Sequence, residues 1–238
     1  LEERRKKEGI DMQLIRVSLE LCEPLFFATK EVGAMYITEP FVGNYALAYA
    51  TGIEITTYKR KSAVSYTEDL PGTGFYCTPA QFKKFGWTSE SFNSVGESRY
   101  LLMDKNNYKS FPEEKTRAAN IPQIGTIKMI ASESRAEFYV LKNTNDALPK
   151  YIRLGKFNTK ARLDFEEMDF EVLSGHFECS VLLNPADLPD IQIHSFRSNP
   201  VKPVPLLKSL KATGKYINSG DISLPYGMSY CRRLLSAN

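Results

Sequence analysis

Residues 13–21 read Gln-Leu-Ile-Arg-Val-Ser-Leu-Glu-Leu, and this stretch opens the reading of the fold. Ile15, Val17, Leu19 and Leu21 interleave with Leu14, Arg16, Ser18 and Glu20. That period of two is the signature of a half-buried strand, and Pro24 ends it. The next regular stretch differs. Residues 41–53 are rich in Ala and Leu, follow Pro40 and close on Gly52, which predicts a helix. Tyr45 and Tyr49 stand four apart on one face of it, a spacing that serves core packing or base stacking. Farther along, residues 135–141, 151–156, 159–163, 170–183 and 191–196 carry strand patterns. Residues 185–189 read as a turn or helical stub. Pro200, Pro203 and Pro205 mark an extended, exposed connection, and residues 230–235 a strand or docking segment. One early helix among many strands predicts an α+β domain built on an antiparallel sheet.

Composition fits a folded chain. Of 238 residues, 42% are hydrophobic and 25% charged, which excludes wholesale disorder, collagen and a disulfide scaffold. No apolar run approaches the roughly 20 residues of a spanning helix. Residues 1–8 are charged, so no signal peptide is visible; a cytoplasmic location without membrane contact is expected.

Enzyme signatures are missing. Cys22, Cys77, Cys179 and Cys231 are dispersed without a CxxC, so a zinc ribbon fails and buried free thiols are expected. His176 and His194 lie far apart in sequence and read as polar-face strand residues. Gly155-Lys156 is followed by Phe157 and Gly214-Lys215 by Tyr216, so neither is a P-loop. There is no GxSxG elbow. The carboxylates Glu166, Glu167, Asp169 and Glu171 lack a His or Asn partner and read as a solvated edge. No catalytic residue, metal or cofactor is expected.

Charge is unevenly spread. Residues 99–162 carry 13 basic and 6 acidic side chains, and residues 163–195 carry 8 acidic and none basic. Clustered positive charge suits a polyanion, although a solvated surface is the plain alternative. Residues 99–120 combine Arg99, Tyr100, Lys105, Tyr108, Arg117 and Asn120 with little periodicity, as a long loop or protruding hairpin would. Such a mixture suits single-stranded nucleic acid: charge holds phosphates and rings stack on bases. Gly125 follows, where a glycine permits close backbone approach to a ligand, with Lys128 beyond it. Arg153, Lys156, Lys160 and Arg162 crowd around Gly155. Strand alternation turns Arg153 away from Ile152 and Leu154 and places Lys160 with Arg162. This is the best phosphate-binding candidate; an exposed basic hairpin is the alternative. Trp87 reads as a packing anchor.

Three blocks also carry a resemblance. Residues 25–33, with Thr38-Glu39-Pro40 and residues 44–50, form the first; Asn120-Ile121-Pro122-Gln123-Ile124-Gly125 with Lys128 and residues 130–140 the second; residues 151–157 with Lys160-Ala161-Arg162 the third. In this order they resemble the Csc-one family, the Cas-five-like subunit of type I-D CRISPR interference complexes. The resemblance implies a ferredoxin-like (RRM-related) RAMP fold: a single domain over residues 1–238 with an extended hairpin or thumb at about 56–120. It also implies a non-catalytic subunit that caps the 5′ handle of the CRISPR RNA. Such a subunit contacts backbone subunits and the large subunit, and helps position target double-stranded DNA near the PAM. Tyr45, Lys105, Arg117, Asn120, Gly125, Lys128, Arg153, Lys156, Lys160 and Arg162 are the candidate RNA contacts. Relatives in one other subtype cleave precursor RNA, so a metal-independent endoribonuclease is an alternative, and a protein-interaction scaffold another. The chain lacks an RNP-one motif, so RNA binding would not use the standard aromatic sheet face.

Overall fold

The computed structural model describes residues 12–52, 65–70, 72, 74–94, 123–143, 146–201 and 204–235. Along the chain run strands β1 (Gln13–Leu21), β2 (Lys30–Val32), β3 (Met35–Ile37) and β4 (Phe41–Val42), then helices α1 (Asn44–Thr51) and α2 (Tyr66–Asp69). Strands β5 (Phe75–Cys77), β6 (Ala80–Lys84), β7 (Trp87–Ser94), β8 (Gln123–Ile130), β9 (Arg135–Lys142), β10 (Tyr151–Leu154), β11 (Thr159–Met168) and β12 (Glu171–Cys179) follow. A 3-10 turn (Pro185–Asp187), β13 (Gln192–Asn199), β14 (Leu206–Asn218), β15 (Ser223–Pro225) and α3 (Arg232–Leu235) complete it. The fold is sheet-rich with few helices, in line with the α+β expectation.

The principal sheet has seven strands in the order β10-β11-β1-β9-β6-β4, with β5 also paired to β9; every pairing in it is antiparallel. The alternation in β1 places it near the centre. Val17 sits opposite Phe165 of β11 and Phe138 of β9, and Val17, Leu19 and Leu21 are buried. Burying a Leu or Phe side chain contributes roughly 1.5–3 kcal/mol, so this strand is a major anchor of the core. A second sheet runs β12-β14-β13 with β15 on β14, and its Phe177, Leu210 and Ala212 join the same core. The third sheet, β2-β3-β8-β7, is mixed, because β3 and β8 run parallel. Of the expected protrusion at 56–120, only residues 65–70, 72 and 74–94 fall within the described structure.

Some elements differ from expectation. The helix begins at Asn44, not at residue 41, because Phe41 and Val42 pair with Gln81 and Ala80 of β6 and are buried as strand residues. Gly52 does close it, at φ 62, the left-handed conformation that glycine adopts without steric cost. Val201 is buried with Phe41, Leu182 and Leu206, so the start of the proline-bearing connection is packed rather than exposed. The tail docks as expected, with Tyr230 and Cys231 buried ahead of the single turn α3.

Asp187 links these parts. Its fully buried carboxylate accepts hydrogen bonds from Asn44 Nδ2 (2.6 Å), Tyr45 OH (2.7 Å) and the Cys231 amide (2.8 Å). Helix α1, the 3-10 turn and the C-terminal segment thus meet on one group. Desolvation pushes its pKa above the ordinary carboxylate value, opposed by the hydrogen bonds it accepts.

Candidate nucleic-acid interface

β10 and β11 pair as a hairpin: Tyr151 faces Arg162, Arg153 faces Lys160, and Ile152 faces Ala161. Ile152, Leu154 and Ala161 are buried, so the hairpin turns Tyr151, Arg153 and Arg162 outward on the opposite face, with Lys160 half-buried beside them. The turn carries exposed Lys156 and Phe157. Sequence alternation foresaw the outward turn of Arg153 and the shared face of Lys160 and Arg162; Lys156 lies in the turn, beyond the reach of that argument.

Their electrostatics are unequal. Arg162 Nη2 donates to Glu20 Oε2 at 3.0 Å and lies 3.2 Å from Asp164. Arg153 Nη1 is 3.7 Å from Glu23 and donates to the Asn158 carbonyl at 3.0 Å. Among the described residues neither Lys156 nor Lys160 has a carboxylate within ion-pair distance of Nζ. Both lie over aromatic rings instead: Lys160 at 4.4 Å from the Tyr151 centroid and Lys156 at 5.8 Å from that of Phe26. Lys156 and Lys160 are therefore the cations most available to a phosphate. Tyr151, Arg153 and Lys160, with Tyr49, Ala50 and Ile152, line an open groove of about 600 Å³ beside α1.

The rest of the same sheet face is unsuited to a polyanion. Arg16, Ser18 and Glu20 of β1 share it with Arg135, Glu137 and Tyr139 of β9 and with Arg162, Asp164 and Glu166 of β11. Apart from Arg162 of the hairpin itself, these rows hold four carboxylates against two guanidinium groups. Arg16 is committed to Asp221 (2.8 Å) and Glu166 (3.2 Å), and the Asp221 hydrogen bond holds its pKa above the ordinary value against the opposing effect of burial. Tyr139 is buried and its hydroxyl donates to Glu137 at 2.7 Å. Positive charge is thus concentrated at the hairpin end.

Several candidates are placed elsewhere. Tyr45 is buried; its ring packs on Tyr66 and Tyr230 and its hydroxyl on Asp187, so it is a core residue and its ring is not open to a base. Gly125 lies inside β8, not in a turn, and the space where its Cβ would stand is filled by the Phe92 ring, 2.5 Å away. That close approach is made by an aromatic side chain rather than a ligand. Lys128 stands over Trp87, 4.3 Å from the ring centroid, on the third sheet rather than the hairpin. Trp87, expected as a packing anchor, is 40% exposed and meets Phe85 edge-on with ring centroids 5.6 Å apart. Lys105, Arg117 and Asn120 lie outside the described residues.

The structure also gathers residues that sequence reasoning missed. Phe157 stacks on Phe26 with ring centroids 5.1 Å apart, and Tyr36 meets Phe92 at 6.3 Å. The adjacency of Phe157 to Lys156 was the one visible signal. His176 and His194 also meet: Thr213 Oγ1 lies 2.7 Å from His176 Nδ1 and 2.6 Å from His194 Nε2. They occupy the flanking strands β12 and β13 on either side of β14.

The described residues thus form a sheet-rich fold that carries an exposed hairpin of basic and aromatic side chains. The family model for the Type I-D CRISPR-associated protein Cas5/Csc1 matches residues 12–233, and the chain belongs to that family. No curated protein matches. Among solved structures, a chain of the type III-B Cmr-β complex bound to cognate target RNA is 13% identical, with a TM-score of 0.41; the match covers 70% of this chain and 65% of that one. A CRISPR protein from Archaeoglobus fulgidus is 12% identical, with a TM-score of 0.40, covering 92% and 100%. A chain of Cmr-β bound to cognate target RNA and AMPPnP is 12% identical, with a TM-score of 0.42, covering 93% and 88%. Among the described residues no helix is long and apolar enough to cross a membrane.

Proposed function

We propose that this chain is a non-catalytic, RNA-binding subunit of a type I-D CRISPR effector complex, and that it holds the repeat-derived 5′ handle of the CRISPR RNA. Family membership supports the CRISPR assignment. One observation carries the RNA reading: Arg153, Lys156, Lys160 and Arg162 stand on one hairpin with Tyr151 and Phe157, while the remainder of the sheet face is acid-rich. Clustered cations with exposed rings are what a single strand requires. The order β11-β1-β9-β6, with α1 between β1 and β6, supports the ferredoxin-like RAMP plan. Under this reading residues 1–238 form one domain with a thumb at about 56–120, to which β7 belongs. Backbone and large subunits cover other faces, and target DNA near the PAM is a partner of the assembled complex.

The endoribonuclease alternative has one observation in its favour, the two imidazoles converging on Thr213. Two imidazoles can serve as general base and general acid for attack of a 2′-hydroxyl on its phosphodiester. The test is incubation of the full chain with CRISPR repeat RNA in EDTA, with a scrambled RNA of equal length as control. Handle-preferring binding without cleavage is expected. Cleavage that His176→Ala abolishes would overturn the non-catalytic reading, and sequence-blind weak binding would overturn handle recognition.

A further inference from the structure

The third sheet presents a face that the basic hairpin does not explain. Directly opposed residues share a face, so Phe92 with Gly125, and Tyr36 with Ile127 and Glu90, lie on one side of it. Ile127 and Met129 of that side form a small core with Phe26, on which Phe157 stacks. Tyr36 and Phe92 on this side and Phe157 at the hairpin turn are thus linked through Ile127, Met129 and Phe26.

These rings are fixed on one side and open on the other. The Phe92 ring lies across Gly125, with its Cζ 2.5 Å from where a Cβ would stand, and the residue is still 36% exposed. Phe157 has one face on Phe26, interplanar angle 29°, and is 56% exposed. Tyr36, 36% exposed, tilts at 36° to Phe92. A ring held on one face loses little freedom when a base stacks on the other.

Charge selects the occupant. Lys156 sits at the hairpin end of this run, whereas Glu90 shares the face with the rings. A carboxylate repels phosphate but accepts hydrogen bonds from base amino groups. The geometry points to a base-stacking platform made by Tyr36, Phe92 and Phe157, which takes unpaired bases of a single-stranded RNA while its phosphates run over Lys156 and the β10–β11 hairpin. This rests on the RNA-binding reading above and adds where the bases go.

Stacking and phosphate contact separate by salt dependence, because only phosphate contacts release counterions. The experiment measures affinity of the full chain for fluorescein-labelled handle RNA from low to high salt. It compares wild type, the triple variant Tyr36→Leu/Phe92→Leu/Phe157→Leu, and the charge variant Arg153→Gln/Lys156→Gln/Lys160→Gln/Arg162→Gln. Leucine keeps the apolar packing, and circular dichroism checks folding; the single variant Phe157→Leu, at the most exposed ring, serves if the triple variant unfolds. Loss of one stacked base lowers affinity about ten-fold. The expected result is at least that loss in the triple variant with an unchanged salt slope, and quenching of 2-aminopurine placed in the handle by wild type only. An unaltered triple variant beside a weakened charge variant would overturn the platform and leave RNA binding standing. Loss of co-purifying subunits with RNA affinity intact would assign the face to protein and overturn the platform. Absence of RNA binding by wild type would overturn both readings.

Discussion

Gly155 and Phe26 are in such close contact that a Cβ on Gly155 would stand 2.6 Å from the Phe26 carbonyl oxygen. The same oxygen accepts the Lys156 amide at 2.9 Å, and Phe157 stacks on the Phe26 ring. The turn of the basic hairpin is thereby seated on the segment that leads into the third sheet.

Gly155→Ala should therefore cost about 1–3 kcal/mol, since Gly155 has φ 73 and no room for a methyl group. Gly86→Ala, where the nearest atom is an ordinary 3.5 Å away, should stay within about 0.5 kcal/mol of wild type. Urea unfolding of both variants checks this. Equal losses would mean that the turn is not seated as described.

Asp187 gives a pH prediction with a definite sign. Burial raises its folded pKa above the ordinary carboxylate value, so the folded state favours the protonated carboxyl. The stabilisation from this group is full below the unfolded pKa and is lost as pH rises through the folded one. Asp187→Asn removes hydrogen-bond acceptor capacity from a buried network and should cost about 2–3 kcal/mol at low pH. The gap from wild type should narrow as pH rises above the unfolded pKa. Chemical denaturation at a series of pH values measures it; a widening gap contradicts the sign.

Thiol reactivity tests the packing of the first two sheets and the C-terminal segment at once. Cys22 is exposed, while Cys77, Cys179 and Cys231 are buried. Burial pushes the Cys77 and Cys179 thiols up to about 12, which removes the reactive thiolate at neutral pH. Ellman titration should find one fast thiol in the folded chain and four after denaturation. Two or more fast thiols would contradict the core.

Local patterns carried much of this fold. β1 and the β10–β11 hairpin were legible because each buries mainly one face, so sequence alternates with the pleat, whereas β9, buried on both faces from Phe138 to Lys142, was legible from its continuous Phe-Tyr-Val-Leu run. β14 was not legible, although it is the longest strand. Leu206 and Leu207 are buried in succession, and Ser209 has φ 53, which breaks the alternation. β2 and β3 are only three residues each, and β3 exists through its parallel partner β8.

The site was legible to the same depth. Helical spacing put Tyr45 and Tyr49 on one face, but Asp187, which decides the fate of Tyr45, lies 142 residues away. Gly125 was singled out as a place of close approach, and the approaching group is Phe92 of the neighbouring strand. The two histidines were set aside for their separation, yet pairing of β12 and β13 with β14 joins them over Thr213. Such partners are tertiary, and no local periodicity encodes them.

The central claim is that the β10–β11 hairpin binds RNA phosphates, and salt-dependent affinity of the Arg153→Gln/Lys156→Gln/Lys160→Gln/Arg162→Gln variant tests it most directly. Each lost phosphate contact on a single strand flattens the slope of log affinity against log salt by about 0.7. With Lys156 and Lys160 unpaired with any carboxylate among the described residues and the two arginines engaged by carboxylates, the slope should flatten by roughly 1.4–2.8, with at least a ten-fold loss of handle affinity at low salt. A variant with wild-type affinity and slope would contradict the account.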